Sequence, residues 1–118
     1  MLLSISDTHF KIDLDPWERI WAFYFNADLH IPLAHIVRAT TEEPSSDWRE
    51  IRLPGTAIPG LIKAGTYYTS QGKDFWYVTR GDRYLTLELT NEFYQRIVLT
   101  VEQNQAWADQ INQRLAAN

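Results

Sequence analysis

The sequence predicts a mainly β domain closed by a single C-terminal helix. Three observations predict it. Period-two alternation recurs through the second half, most cleanly over residues 84–90, where Leu85, Leu87 and Leu89 share one side. Aromatic residues make up 14% of the chain, with five Trp and six Tyr, and large flat side chains suit pleated surfaces. The alternation stops at Asn104, after which Trp107, Ala108, Ile111 and Leu115 fall on one helical stripe. A chain of 118 residues fits one domain, residues 1–118.

Residues 10–14 alternate, with Phe10, Ile12 and Leu14 on one side, and predict a half-buried strand. Asp15-Pro16 then opens a short helix over residues 16–24, Asp15 as its cap and Pro16 in the first turn. Asn26-Ala27-Asp28 is a turn. Residues 29–33 predict a second strand, bent or at an edge because of Pro32, and residues 36–43 a third. Pro44-Ser45-Ser46-Asp47 and residues 54–60, with two Pro-Gly pairs, read as loops. Residues 62–69 and 75–80 flank a hairpin turn at Ser70-Gln71-Gly72-Lys73, and Gly81-Asp82-Arg83 turns the chain again. With residues 84–90 and 96–101 these segments predict a four-stranded antiparallel meander. Asn104 is the expected N-cap of the last helix, which would cover the open end of a curved sheet.

Composition excludes several function classes. There is no cysteine, so disulfides, thiolate metal sites and a Cys nucleophile are ruled out. The net charge of −4 argues against nucleic acid, whose phosphates need clustered Lys and Arg, and against docking on anionic lipid. No basic leader precedes the opening apolar run, which Asp7 cuts short, and no stretch nears the ~20 apolar residues of a membrane span. A cytoplasmic location is the expectation.

Four short patterns invite chemistry. Ser6-Asp7-Thr8-His9 looks like the Asp-x-His opening of metallophosphoesterases, which would make Asp7 and His9 metal ligands of a small phosphoesterase-like enzyme. Such chemistry needs two metals and further Asp, Asn and His blocks, of which only Gly81-Asp82 is present, so the pattern reads as a polar turn. His30 and His35 are two ligands where zinc wants three or four. Asp13 and Asp15 could pair as carboxylates, but fit equally the solvated side of an edge strand. Residues 54–65 carry three glycines and Lys63 without the Walker spacing, so they read as a shaped loop. No catalytic residue, metal or cofactor is expected.

About seven strands followed by one amphipathic helix resembles the plan of bacterial pleckstrin-homology-like domains. The likeness rests on residues 31–36 (Ile-Pro-Leu-Ala-His-Ile), on the run from Ile58 through Lys63-Ala64-Gly65-Thr66-Tyr67 to Phe75-Trp76-Tyr77-Val78, and on the C-terminal helix with Trp107. It covers residue 10 to the end. The resemblance implies a barrel of about seven antiparallel strands, with a short helix after the first and a capping helix last; another small antiparallel barrel is the alternative. It also implies a binding scaffold for proteins or for self-association. The family's phosphoinositide role does not carry over, because residues 15–28 offer Arg19 as their only base beside Glu18, Asp15 and Asp28.

The positive signal lies in residues 17–25. Trp17, Ile20, Trp21, Phe23, Tyr24 and Phe25 are more apolar surface than one short helix hides against a core. The expected function is therefore a non-catalytic bacterial module whose partner is a second copy or another protein. Trp17, Trp21 and Phe23 would anchor the contact, and Arg49, Arg52 and Lys63 would give polar specificity. The competing classes are the Asp7/His9 metalloenzyme and a peripheral membrane module.

Overall fold

A computed structural model describes residues 1–22, 24, 28–44, 51–58, 62–81 and 83–117, with the side chains of 51–58 excepted. Nine strands and two α-helices lie among these residues, against about seven strands expected. The strands are β1 (Leu2–Ile5), β2 (His9–Asp13), β3 (Leu29–Pro32), β4 (Ile36–Thr40), β5 (Ile51–Ile58), β6 (Ile62–Thr69), β7 (Gly72–Thr79), β8 (Tyr84–Leu89) and β9 (Arg96–Thr100). The helices are α1 (Pro16–Ala22) and α2 (Asn104–Ala117), and a 3₁₀ turn, Leu33–His35, joins β3 to β4.

The strands form two open sheets rather than one closed barrel. The first is an antiparallel β1-β2-β3 sheet, and the second has the order β4-β8-β9-β7-β6-β5. One core fills the space between them. Phe10, Ile12, Leu29 and Ile31 come from the first sheet; Phe75, Leu85, Leu87, Ile97 and Leu99 come from the second; Ala108 and Ile111 come from α2. The predicted stripe of α2 thus faces inward, with Trp107 edge-on against Phe10 at 5.9 Å. Phe10, Ile12, Leu85, Leu87, Ile97, Leu99 and Ile111 are wholly shielded from water.

The predicted meander is replaced by a different order. β8 does not pair with β7; β9 lies between them, antiparallel to β8 and parallel to β7. Register accounts for this. A tight hairpin pairing Thr79 with Tyr84 would set inward Phe75 and Tyr77 opposite outward Glu88 and Thr86, and a one-residue mismatch swaps faces along the whole strand. With β9 inserted, Phe75 meets Ile97 and Tyr77 meets Leu99, while Ile97 meets Leu87 and Leu99 meets Leu85. Apolar then matches apolar throughout.

The outer face carries the complementary pattern. One row across the sheet reads Arg38, Glu88, Arg96, Asp74 and Tyr67 by register partners, with charge alternating over its first four positions. Arg38 Nε donates to Glu88. Arg96 donates to Asp74 Oδ2 through Nη2 at 2.6 Å and Nε at 3.1 Å, and Gln95 Nε2 donates to Oδ1 at 3.0 Å. Asp74 is fully buried, so this satisfaction of its carboxylate is what lets it sit there. The network joins β7 to β9 at the one parallel junction of the sheet. At its edge Gly72 has φ +147°, and a Cβ there would lie 3.3 Å from the Gln95 side chain, so the turn needs glycine.

The residues 54–60 predicted as loop are strand as far as Ile58; Pro59 and Gly60 lie outside the described residues. β5 is an edge strand with a register shift between Arg52 and Gly55, and an edge with an irregularity is where a sheet tolerates Pro54. The other edge, β4, is covered differently. Asn112 of α2 accepts from the Ala39 N–H at 3.0 Å and donates to the Ala39 carbonyl at 2.9 Å, imitating a neighbouring strand. Asn104 does not cap α2 through its side chain as expected; its Nδ2 donates to the Tyr84 carbonyl at 2.8 Å and ties the helix start to β8. The predicted turns at 26–27, 45–47 and 82 fall outside the described residues.

Candidate functional site

The sequence positions α1 through its N-terminal end and its inner side. Asp15 and Glu18 form a reciprocal capping box: the Asp15 carboxylate accepts the Glu18 N–H at 2.9 Å and the Glu18 carboxylate accepts the Asp15 N–H at 2.9 Å. Arg19 Nε donates to the Leu14 carbonyl at 2.9 Å and secures the helix to the end of β2. On the inner side Ala22 is buried and Tyr24, just past the helix, lies edge-on to Phe75 at 5.4 Å. With only seven residues, α1 has no room to turn all its apolar groups inward. Trp17, Ile20 and Trp21 are 72%, 52% and 42% exposed. Their spacing of three and four places them on neighbouring positions of one side of the helix.

Trp17 and Trp21, two of the expected anchors, lie on the exposed side of α1 with Ile20 between them. Ala22 is the buried residue of the helix. Phe23, Arg49 and the side chain of Arg52 lie outside the described residues. Lys63 does not join the α1 patch. Its neighbour Ala64 faces the core that holds Ala22, so Lys63 points to the opposite, outer face of the sheet. There its Nζ lies 3.7 Å from the Trp76 ring centroid and 4.4 Å from that of Tyr67. Arg96 approaches Trp76 as well, at 5.3 Å. The cation packs on aromatics of a second, smaller cluster of Tyr67, Trp76 and Val98 rather than on a loop.

The remaining sequence candidates have local partners. Asp7 accepts from Arg114 Nη1 at 3.2 Å, and the same nitrogen donates to the Ser6 carbonyl at 3.0 Å, fastening the β1–β2 turn to α2. His9 Nδ1 bonds the Thr8 hydroxyl at 2.8 Å. His30 Nε2 lies 3.6 Å from Asp28, while His35 bonds Glu92, so these two histidines face different carboxylates. Asp13 lies 3.4 Å from Lys11, and Asp15 is taken up by the capping box. Asp13 first, then Asp28, raises the Lys11 ammonium above its ordinary pKa. Among the described residues no three His, Asp or Glu side chains converge as a metal would require.

Sequence reasoning missed two features. A cleft of about 620 Å³ runs over the charged row of the outer face, lined by Arg38, Glu88, Gln95 and Arg96 among others. A second cavity lies between the sheets, beside β3 and residues 92–94. The signal for the first was available: Arg38, Glu88, Asp74 and Arg96 all fall on the outward positions of their strands. No described helix is long and apolar enough to cross a membrane. Set against protein-family models, curated proteins and solved structures, the chain finds no match.

Proposed function

We propose that this chain is a non-catalytic docking module that associates with a second copy of itself through the exposed side of α1. The observation that carries the reading is the triplet Trp17, Ile20 and Trp21, large apolar side chains exposed on a helix whose start is fixed by a capping box. Burying a side chain of that size is worth roughly 1.5–3 kcal/mol, and Trp is a favoured anchor of protein contacts. A twofold axis beside α1 would lay the same three side chains against their copies, an isologous contact that needs no foreign surface. The pleckstrin-homology-like resemblance belongs to this proposal. The inward stripe of α2 supports it; nine strands in two open sheets depart from it.

Light scattering coupled to size exclusion, run across the micromolar range, tests the reading. Wild type should shift from monomer to dimer mass as concentration rises, and Trp17→Ser should stay monomeric with unchanged circular dichroism. A wild-type monomer at every concentration would remove self-association; a monomer that gains mass only with another protein would transfer the surface to a foreign partner.

A further inference from the structure

The cavity between the sheets has a volume of about 520 Å³, inside the ~300–1,000 Å³ range of small-molecule sites. Its walls include His30, which lies 3.6 Å from Asp28, and two further kinds of group. Tyr24, Phe93 and Tyr94 supply aromatic rings, and Asp28 and Glu92 supply carboxylates; no Lys or Arg lines it among the described residues. The rings are held in place before any ligand arrives. Phe93 and Tyr94 stand perpendicular, at 90° and 5.0 Å between centroids. Tyr94 also rests edge-on against Phe75 at 5.5 Å, and its hydroxyl bonds Thr66 at 2.8 Å.

The carboxylates differ in how far they are already neutralised. Asp28 is shared by Lys11 at 3.5 Å and Arg19 at 3.6 Å. Glu92 meets only the His35 ring, through Oε2, which orients the group and leaves Oε1 with no partner among the described residues. Phe93 is 65% exposed, so its ring is accessible to a ligand. One cation already sits against it, since Lys73 Nζ lies 4.0 Å from the ring centroid.

We propose that this cavity binds a small alkylated ammonium ion, with the Phe93 and Tyr94 rings against its alkyl shell and Glu92 as its counter-charge. Perpendicular π faces beside a carboxylate attract a cation by the ring quadrupole and by charge. The alkylated form is favoured over a bare ammonium for two reasons. When fully alkylated it surrenders little hydration on entry, and it carries no N–H donor that the cavity would have to satisfy. The site is separate from the α1 surface and stands or falls independently of it.

Isothermal titration of the full chain with choline, and with 3,3-dimethylbutan-1-ol as its uncharged isostere, tests the assignment. Trimethyllysine as a third titrant distinguishes an amino-acid source of the group from an amino-alcohol source. At least one of the two cations should bind saturably, and the isostere about tenfold more weakly or worse. Phe93→Ala and Glu92→Gln should each weaken the cation about tenfold while the far-ultraviolet circular dichroism stays that of wild type. Because Phe93 is exposed, its variant reports on the site even if Glu92→Gln loosens the His35 contact. Equal affinity for cation and isostere, unchanged affinity in Phe93→Ala, or no saturable binding of either cation would overturn the proposal.

Discussion

Replacing Arg96 by Met should strip the buried Asp74 carboxylate of the one charged partner it has among the described residues. Asp74 is fully shielded, and its described contacts are the two bonds from Arg96 and one from Gln95. Removing one member of a buried ion pair costs roughly 3–5 kcal/mol, because the other charge is left in a low-dielectric site. Gln95 remains, and a hydrogen bond to a charged group is worth about 1.5–3 kcal/mol, so the lower end is expected, about 3 kcal/mol. For a chain this long the unfolding entropy is roughly 0.25 kcal/mol/K, which turns that loss into a fall in Tm of about 12 °C. Urea melts followed by far-ultraviolet circular dichroism would measure it; Trp fluorescence is the second probe, since Trp76 lies 5.3 Å from the Arg96 guanidinium. Asp74→Asn in the Arg96→Met background should recover more than half of the loss, because no buried charge then remains. A single variant costing less than about 1 kcal/mol, or two substitutions whose costs simply add, would refute the assignment of this pair as the lock between β7 and β9.

Two further outcomes follow from contacts described above. Asn112→Leu removes both bonds to Ala39 and should cost about 1–3 kcal/mol; amide exchange at Ala39 should quicken while α2 keeps its helicity, and an unchanged Ala39 amide would contradict the edge-covering role. The Tyr77 phenol is pushed up to about 12, by burial first and then by the Glu18 and Asp15 carboxylates. Since the folded state keeps that proton longer than the unfolded chain, stability should be unaffected below pH 10 and fall between about pH 10 and 12. Tyr77→Phe should flatten that limb of a stability-against-pH series.

The local parts of the fold were legible because each is a pattern within one segment. Phe10 and Ile12 alternate as a strand, Asp15-Pro16 starts a helix, and Trp107, Ala108, Ile111 and Leu115 repeat at helical spacing; all three behave accordingly. What alternation cannot give is the neighbour. Leu85, Leu87 and Leu89 face inward whether β8 lies beside β7 or beside β9, so the order of the sheet rests on contacts between distant residues. The charges could have narrowed the choice, because Asp74 on an aromatic strand needs a base and Arg96 stands at the matching outward position. β5 was hidden by Pro54-Gly55, a turn signal that an edge strand with a register shift absorbs. The cavity between the sheets was hidden for the same reason as the sheet order: Tyr24, Asp28 and Phe93 meet only once β3 and the 92–94 stretch are brought together.

The placement of β9 also governs the order in which the chain can assemble. Hairpins such as β6–β7 close over two residues, but the six-stranded sheet has no middle until residues 96–100 arrive. A nascent chain ending before Arg96 holds β5-β6-β7 and β4-β8 as two pieces with a gap between them, leaving the β7 and β8 flanks that face the gap unpaired. Those flanks are sticky templates, and the last strand is the piece that seals them. Half of that seal is a parallel pairing between distant residues, which forms more slowly than a hairpin such as β6–β7, so those flanks stay open to aggregation until it closes.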